Sequence, residues 1–588
     1  MKAVLALALV LLALLPFRAA LDGDFIEDDR PIIRDRLELR DVSHVPALFA
    51  ETYWPREQPG GLYRPLTMAS YALDRALWGV DVNGAPSRIG VHATNLLLNA
   101  IAALLVLALL RERTASALAS WCGAALFAVH PLHVEAVAHM VGRADLLMSA
   151  LFLGAFLLHS RGPLARAGAA ALYLLACLSK EMAVVLPGIL LARAWLERSD
   201  ATAGAFARRQ LVELAPCAFA LALFLALRGV ALGAAASPPV AFAWSTPPQY
   251  LAFQQPAFGE VSLTTIHAFA EILALLVAPL WLSADYSGFP HATAPDTAVM
   301  FSAAAIAARR ARRRARRGWR DPAFWAVWLG LTWLPVSNLL FPSGIVLAER
   351  TLYLPSVALA GVVAGALSPV LARDRRWLAL PLAAIAGLAA LTALRAPLWR
   401  DARGLYEATV AHGRYSGHIA KAGLVAELIR ELEEKPDPHT RERALALARA
   451  SLGERPTATN LRQVAQLEEA SGELDYALER RAALYHYVPT DLENRDALLR
   501  LLAASIARSE AAGETAQALK LTGNGYVVAE RSGDAELLAE WRARLDRAYQ
   551  RSIDEAVAAG DRVEVHRRLE SLALVFPHHP LLERYRDF

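Results

Sequence analysis

Apolar residues run almost unbroken through the first twenty positions. Apolar windows then recur at about 90–110, 115–130, 145–160, 167–178, 182–196, 211–232, 263–282, 297–308, 322–341, 353–372 and 377–394. A helix of about twenty apolar residues crosses a bilayer. The pattern therefore predicts an all-α, polytopic membrane bundle of about 11–12 hydrophobic segments over residues 1–396. Several windows are short, and such segments tilt or enter the bilayer only part-way. The opening run, "MKAVLALALVLLALLPFRAA", has the outline of a signal peptide, but the many spans behind it favour a first transmembrane helix.

Beyond Trp399 the long apolar runs stop, and Glu, Arg, Ala and Leu dominate. Ala444 and Pro456 return 33 residues later as Ala477 and Pro489, and Gly472-x4-Ala477 returns as Gly513-x4-Ala518. The 17 residues from Gly472 to Pro489 also separate Gly560 from Pro577. A period near 34, with small residues where helices cross, predicts tetratricopeptide-like helical repeats over 397–588. Such a solenoid offers a concave face to a partner or substrate. Between the first two spans, residues 20–89 form a polar loop. Within it "YRPLTMASYALDRALWG" (63–79) puts Leu66, Ala69, Leu73 and Leu77 on one face, an amphipathic helix lying on membrane lipid. Tyr53, Trp54 and Trp78 are expected to anchor it at the interface.

Composition supports a membrane protein. The chain of 588 residues is 55% hydrophobic, against roughly 45–50% in soluble domains. Its net charge of +4 does not imply nucleic acid, because the arginines fall in short loops between apolar segments. Cys122, Cys177 and Cys217 lie inside apolar runs and read as buried thiols packing as small hydrophobes.

Arginine-rich short loops mark the cytoplasmic side. They are Arg111 with Arg113, Arg161 with Arg166, 198–209, the eight-arginine tract at 309–320, and "RDRR" at 373–376. With the N-terminus inside, the loops 20–89, 130–144 and 179–181 fall outside. A full crossing by 263–282 would carry the arginine tract outside too, so that segment is expected to be re-entrant or surface-lying. Residues 283–290, 342–352 and everything beyond 395 then also face outside. The Ala- and Arg-rich, Lys-poor usage suggests a bacterial inner membrane, whose outer face is periplasmic.

Ionisable residues collect on that face. "DGDFIEDDRP" (22–31) carries Asp28 and Asp29, and "YRPL" carries Arg64. "HPLHVEAVAHMVGRAD" (130–145) carries His130, His133, Glu135, His139, Arg143 and Asp145. "LSKE" adds Lys180 and Glu181, "SADYS" adds Asp285 and Tyr286, and "AERTLYLP" adds Glu349 and Arg350. Ionisable groups at the ends of spans are costly and point to function. Arg64, Lys180 and Arg350 could hold a lipid-linked sugar phosphate, and a carboxylate could take a proton from an acceptor hydroxyl. His130 and His133 stand at i,i+3 and His133 and His139 at i,i+6, which does not bring three ligands to one helical face. No metal site and no cofactor is expected.

The motifs "GDFIEDDRPIIRD", "YRPL", "ALFAVHPLHVEAVAHMVGRADLL", "LSKE", "LSADYS" and "LPVSNLLFPSGIVLAERTLYLPS" occur here in one order across about 20–400. In this the chain resembles the transmembrane and tetratricopeptide-repeat O-mannosyltransferases and their bacterial relatives, of the GT-C glycosyltransferase superfamily. The resemblance implies a GT-C-like membrane domain and a sugar taken from a polyprenyl- or dolichyl-phosphate donor. It implies a hydroxyl acceptor such as protein Ser or Thr, and repeats on the same side as the active site. It also implies an acidic base in the first outer loop, at Asp28 or Asp29. A non-catalytic scaffold recruiting envelope proteins through its repeats is the alternative, and would need none of the outer acids.

Overall fold

The computed structural model describes residues 2–55, 61–81, 84–198, 202–233, 258–289, 320–340 and 346–585. The expected span at 297–308 and the arginine tract up to 319 lie outside them. Among the described residues the regular structure is helical, apart from one isolated β-bridge between Val80 and Pro86. They divide into two compact units, the first running to Leu424 and the second from Val425. The unit boundary therefore lies inside the helix His418–Glu434, beyond the junction at 396/397 drawn from the sequence.

In the first unit, five described helices are long and apolar enough to cross a membrane: Ala3–Asp22, Arg88–Arg113, Met140–His159, Ala203–Leu232 and Arg375–Trp399. Shorter apolar helices at Pro163–Ser179, Ala268–Val277, Pro322–Val336 and Val357–Arg373 pass that test for composition but not for length. Met140–His159 has 78% of its apolar window buried in protein, against 17–22% for Ala3–Asp22, Ala203–Leu232 and Arg375–Trp399. A helix that is apolar all round and this exposed suits lipid, not water. The core around Leu9, Phe17, Val106, Cys122, Phe152, Phe156, Tyr173, Trp328 and Tyr353 is continuous. Asn99 is buried among the spans with both ends satisfied, donating to Ala13 O (2.9 Å) and accepting from the Tyr353 hydroxyl (2.7 Å).

Two expectations change. The stretch 130–144 is not a solvated loop. The helix Ala117–Ala128 breaks, bends by 45° and continues as short turns through Pro131–Ala138 and Met140–Gly142. His130, His133, Glu135, His139 and Arg143 are all buried on this wedge. Gly142 permits its tight fold, since a Cβ there would lie 2.2 Å from Ala136 O. The helix Pro65–Trp78 does form, with Leu73, Leu77 and Trp78 exposed and Thr67, Met68, Tyr71, Ala72 and Asp74 buried. Tyr53, however, is no interface anchor: it is 3% exposed and packs inward.

The second unit is a run of helices from Pro438–Glu454 to Pro580–Arg584 in which each packs on its sequence neighbours. Asp437, Thr457, Asp491, Asp534 and Asp561 each cap a helix of this run through their side chains. Ala444, Ala477 and Ala518 are buried where helices cross. Gly472, Gly513 and Gly560 turn the chain with φ of 68° to 80°. The pair Ala458–Ala470 and Leu474–Tyr487 is of tetratricopeptide length, but the later helices lengthen to 20, 18 and 24 residues. The solenoid holds while its period drifts.

Candidate active site

Three cations expected to meet a phosphate are each paired with a carboxylate from a distant stretch. Arg64, which opens the helix Pro65–Trp78, forks onto Glu181 at 3.0 Å (Nε–Oε2) and 2.5 Å (Nη2–Oε1). Lys180 closes the helix Pro163–Ser179 and reaches both oxygens of Asp145 at 2.7 Å. Arg350 donates to Glu135 through Nη1 (2.8 Å) and its backbone N–H (2.9 Å). These pairs bring four stretches of the chain together. Lys180 and Asp145 are 6% and 2% exposed, whereas Arg64 and Arg350 keep 12% and 21%. Among the described residues Arg64 Nη1 and Arg350 Nε and Nη2 have no acceptor, so the two arginines are better placed than Lys180 to meet a ligand.

The acids of the first loop divide sharply. Asp29 is 1% exposed, accepts from the amides of Ile26 (3.2 Å) and Val141 (2.9 Å), and lies 3.4 Å from His139 Nε2. It ties the loop to the buried wedge. Burial lifts its carboxyl well above the ordinary range, although both amides act to lower it. Asp28 is partly exposed and has no hydrogen bond or ion pair to its carboxylate among the described residues. Burial raises its carboxyl too, while Arg350 and Arg64 pull it down. A carboxylate moved toward neutral pH and open to an incoming proton meets the needs of a general base.

Electrostatics act on two of these residues in opposite senses. Burial acts to raise Glu181, but Arg64 outweighs it and holds the carboxyl down at about 2. Burial lowers the Lys180 ammonium, opposed by Asp145. Tyr53 lies under the Arg64 guanidinium, 4.9 Å from ring centroid to Cζ, and helps to fix that side chain.

The other candidates are built into the scaffold. Arg143 is buried and joins three helices by donating to Asn95, Ser70, Asp74 and the Val91 carbonyl. His130 bonds the Leu276 carbonyl at 3.0 Å, and His133 bonds Ser356 at 2.9 Å while packing on Tyr353 and Phe127. Asp285 accepts from the amides of Gly417 and Ala420, both at 2.9 Å, and so caps the helix that begins at His418. Glu349 is fully buried and takes four bonds, from Ser283 N (2.6 Å), the Tyr286 hydroxyl (2.9 Å) and Arg395 (2.9 and 3.0 Å). Sequence reasoning missed Glu27, Tyr53 and Arg395. Glu27 abuts Asp28, and burial together with the Asp28 charge pushes its carboxyl up to about 7.

Sequence comparison meets this geometry. Over 389 residues the chain is 28% identical to the protein O-mannosyl-transferase TMTC3 of Homo sapiens, covering 58% of this chain and 40% of that protein. It is 28% identical over 414 residues to Tmtc3 of Drosophila melanogaster (57% and 43%) and over 495 residues to Tmtc1 of the same fly (68% and 57%). The chain is a sequence relative of the protein O-mannosyl-transferases. It spans about half the length of these O-mannosyl-transferase relatives. No protein-family model and no solved structure matches it.

Proposed function

We propose that the chain is a membrane glycosyltransferase that moves mannose or a related hexose from a polyprenyl-phosphate donor to a hydroxyl acceptor, a protein Ser or Thr, at the periplasmic face of a bacterial inner membrane. The observation that carries this reading is the partly exposed Asp28 carboxylate beside two arginines that, among the described residues, keep N–H groups unused by Glu181 and Glu135. In this mechanism the acceptor oxygen attacks the anomeric carbon and Asp28 takes its proton. The bond from that carbon to the phosphate oxygen breaks. The charge left on the departing lipid phosphate is met by Arg64 and Arg350, donors fixed in advance by Glu181 and Glu135. Lys180 with Asp145 supports them from the buried side, and the helical repeats hold the acceptor.

The test is transfer by the purified full chain in detergent or vesicles, using polyprenyl-phosphate mannose labelled in the sugar and a Ser/Thr-rich peptide. Label in the peptide supports the reading. A folded protein that labels the peptide only from a nucleotide sugar, or from no lipid-linked hexose at all, overturns it. A reporter fused after Phe588 should read as periplasmic; a cytoplasmic signal would part the repeats from the proposed acceptor side.

A further inference from the structure

Glu27 immediately precedes the open carboxylate and has φ of +43°, a left-handed conformation that residues with a Cβ seldom adopt unless their surroundings hold them there. The turn separates the next two acids. Asp29 folds back onto the amides of Ile26 and Val141, while Asp28 faces Arg350 and Arg64. The restraint comes from beyond the last apolar helix. The hydroxyl of Tyr406, on the helix Ala402–His412, acts on the Glu27 carboxylate and lowers its proton affinity. The Tyr406 ring is itself clamped, since a Cβ on Gly423 would lie 2.2 Å from it. The stretch leading into this helix is fastened to the same loop. Asp24 N donates to Arg400 O (2.7 Å) and Arg400 Nη2 to Asp22 (2.9 Å). All these residues belong to the first unit.

We propose that Glu27 and Tyr406 are a positioning pair: Tyr406 holds Glu27 in its left-handed turn, and that turn aims the Asp28 carboxylate at the reacting hydroxyl. The proposal rests on Asp28 being the base. Neither residue takes the proton; they act through Asp28. The charged and titratable groups facing Glu27 are Asp28, Asp29, Arg350, Glu135 and Tyr406.

The experiment is steady-state transfer from the lipid donor by full-length Tyr406→Phe, Glu27→Ala, Glu27→Gln, the Tyr406→Phe/Glu27→Ala double variant and Asp28→Asn, each matched to wild type in gel filtration and Tm. A misplaced reacting group costs about tenfold to a hundredfold, so Tyr406→Phe and Glu27→Ala should each lower kcat by that much with donor KM unchanged. The double variant should lose no more than either single one, because the two residues act as a unit. Glu27→Gln keeps an acceptor for Tyr406 and should restore kcat. It should also remove the inflection near pH 7 that ionisation of Glu27 adds to the wild-type profile. Wild-type kcat in Tyr406→Phe and Glu27→Ala, or losses that simply add, would overturn the pair while an inactive Asp28→Asn left the base standing. An active Asp28→Asn would overturn the base itself. If Tyr406→Phe does not fold, the Glu27→Gln profile decides: an unchanged inflection rejects the pair.

Discussion

Two clusters of acids and bases lie in the membrane unit, and they differ in what they leave open. Around Glu349, both carboxylate oxygens are held by Ser283, Tyr286 or Arg395, and the acid is sealed from solvent. Around Asp28, Arg64 and Arg350 use only part of their donor set on Glu181 and Glu135, and the Asp28 carboxylate feels both arginines but makes no hydrogen bond or ion pair among the described residues. Ion pairs alone do not mark a functional site. Buried, fully satisfied pairs hold structure, whereas chemistry needs hydrogen-bonding capacity that the fold has oriented and left free.

Breaking the closed cluster should give the largest change in stability. Glu349→Gln leaves the Arg395 charge buried without its counter-ion, and removing one partner of a buried pair costs about 3–5 kcal/mol. The expected outcome is a large fall in Tm by thermal unfolding in detergent, with transfer per folded molecule within a few-fold of wild type. A normal Tm with lost transfer would move Glu349 into the chemistry. Arg350→Lys probes the open cluster more gently. The Glu135 contact to the backbone N–H survives, but the planar fork is lost. Donor KM should rise about tenfold, as expected for one lost charge-assisted hydrogen bond, with Tm unchanged; an unaltered KM would make Arg350 a strut like Arg395.

The smallest effect concerns pH. Glu27 has its folded carboxyl raised from the ordinary 4.5 to about 7 by burial and by Asp28. The folded state thus binds a proton that the unfolded state releases, so this contribution to stability is full below pH 4.5 and is lost as pH rises through 7. Asp28 and Asp29 are shifted in the same direction. Tm should fall as pH is raised across this window, and Glu27→Gln should flatten the slope. An equal slope in the variant would assign the effect to the two aspartates alone.

Much of this was legible in the chain, and the gaps have physical causes. The apolar windows announced the helical bundle, and small residues at recurring positions announced the solenoid, because both patterns follow from helix geometry. Arg64, Lys180 and Arg350 were visible as cations at the ends of spans. Their partners Glu181, Asp145 and Glu135 were visible as well, but not the pairing, which joins Arg64 to a residue 117 positions away. Asp285 looked like a site acid but caps a helix, and the amides that donate to its carboxylate lie more than 130 residues downstream. Tyr53 was placed at the interface on its aromatic character alone. Only the fold shows that a guanidinium lies over it. Nothing in "IEDD" reveals which acid turns inward, since that depends on a positive φ at Glu27 and on the amide of Val141.

The direct test of that division is a head-to-head measurement on Asp28→Asn and Asp29→Asn, reading both Tm and transfer from the lipid-linked donor, with Asp24→Asn as control. General-base catalysis contributes about 10²–10⁴-fold. Asp28→Asn should therefore lose that much kcat at an unchanged Tm, with donor binding retained. Asp29→Asn can accept only one of its two amides through its remaining oxygen. It should lose about 1–3 kcal/mol of stability yet keep transfer per folded molecule within a few-fold. The opposite pattern, with Asp29→Asn stable but inactive and Asp28→Asn still transferring sugar, would contradict the assignment of the open carboxylate as the base.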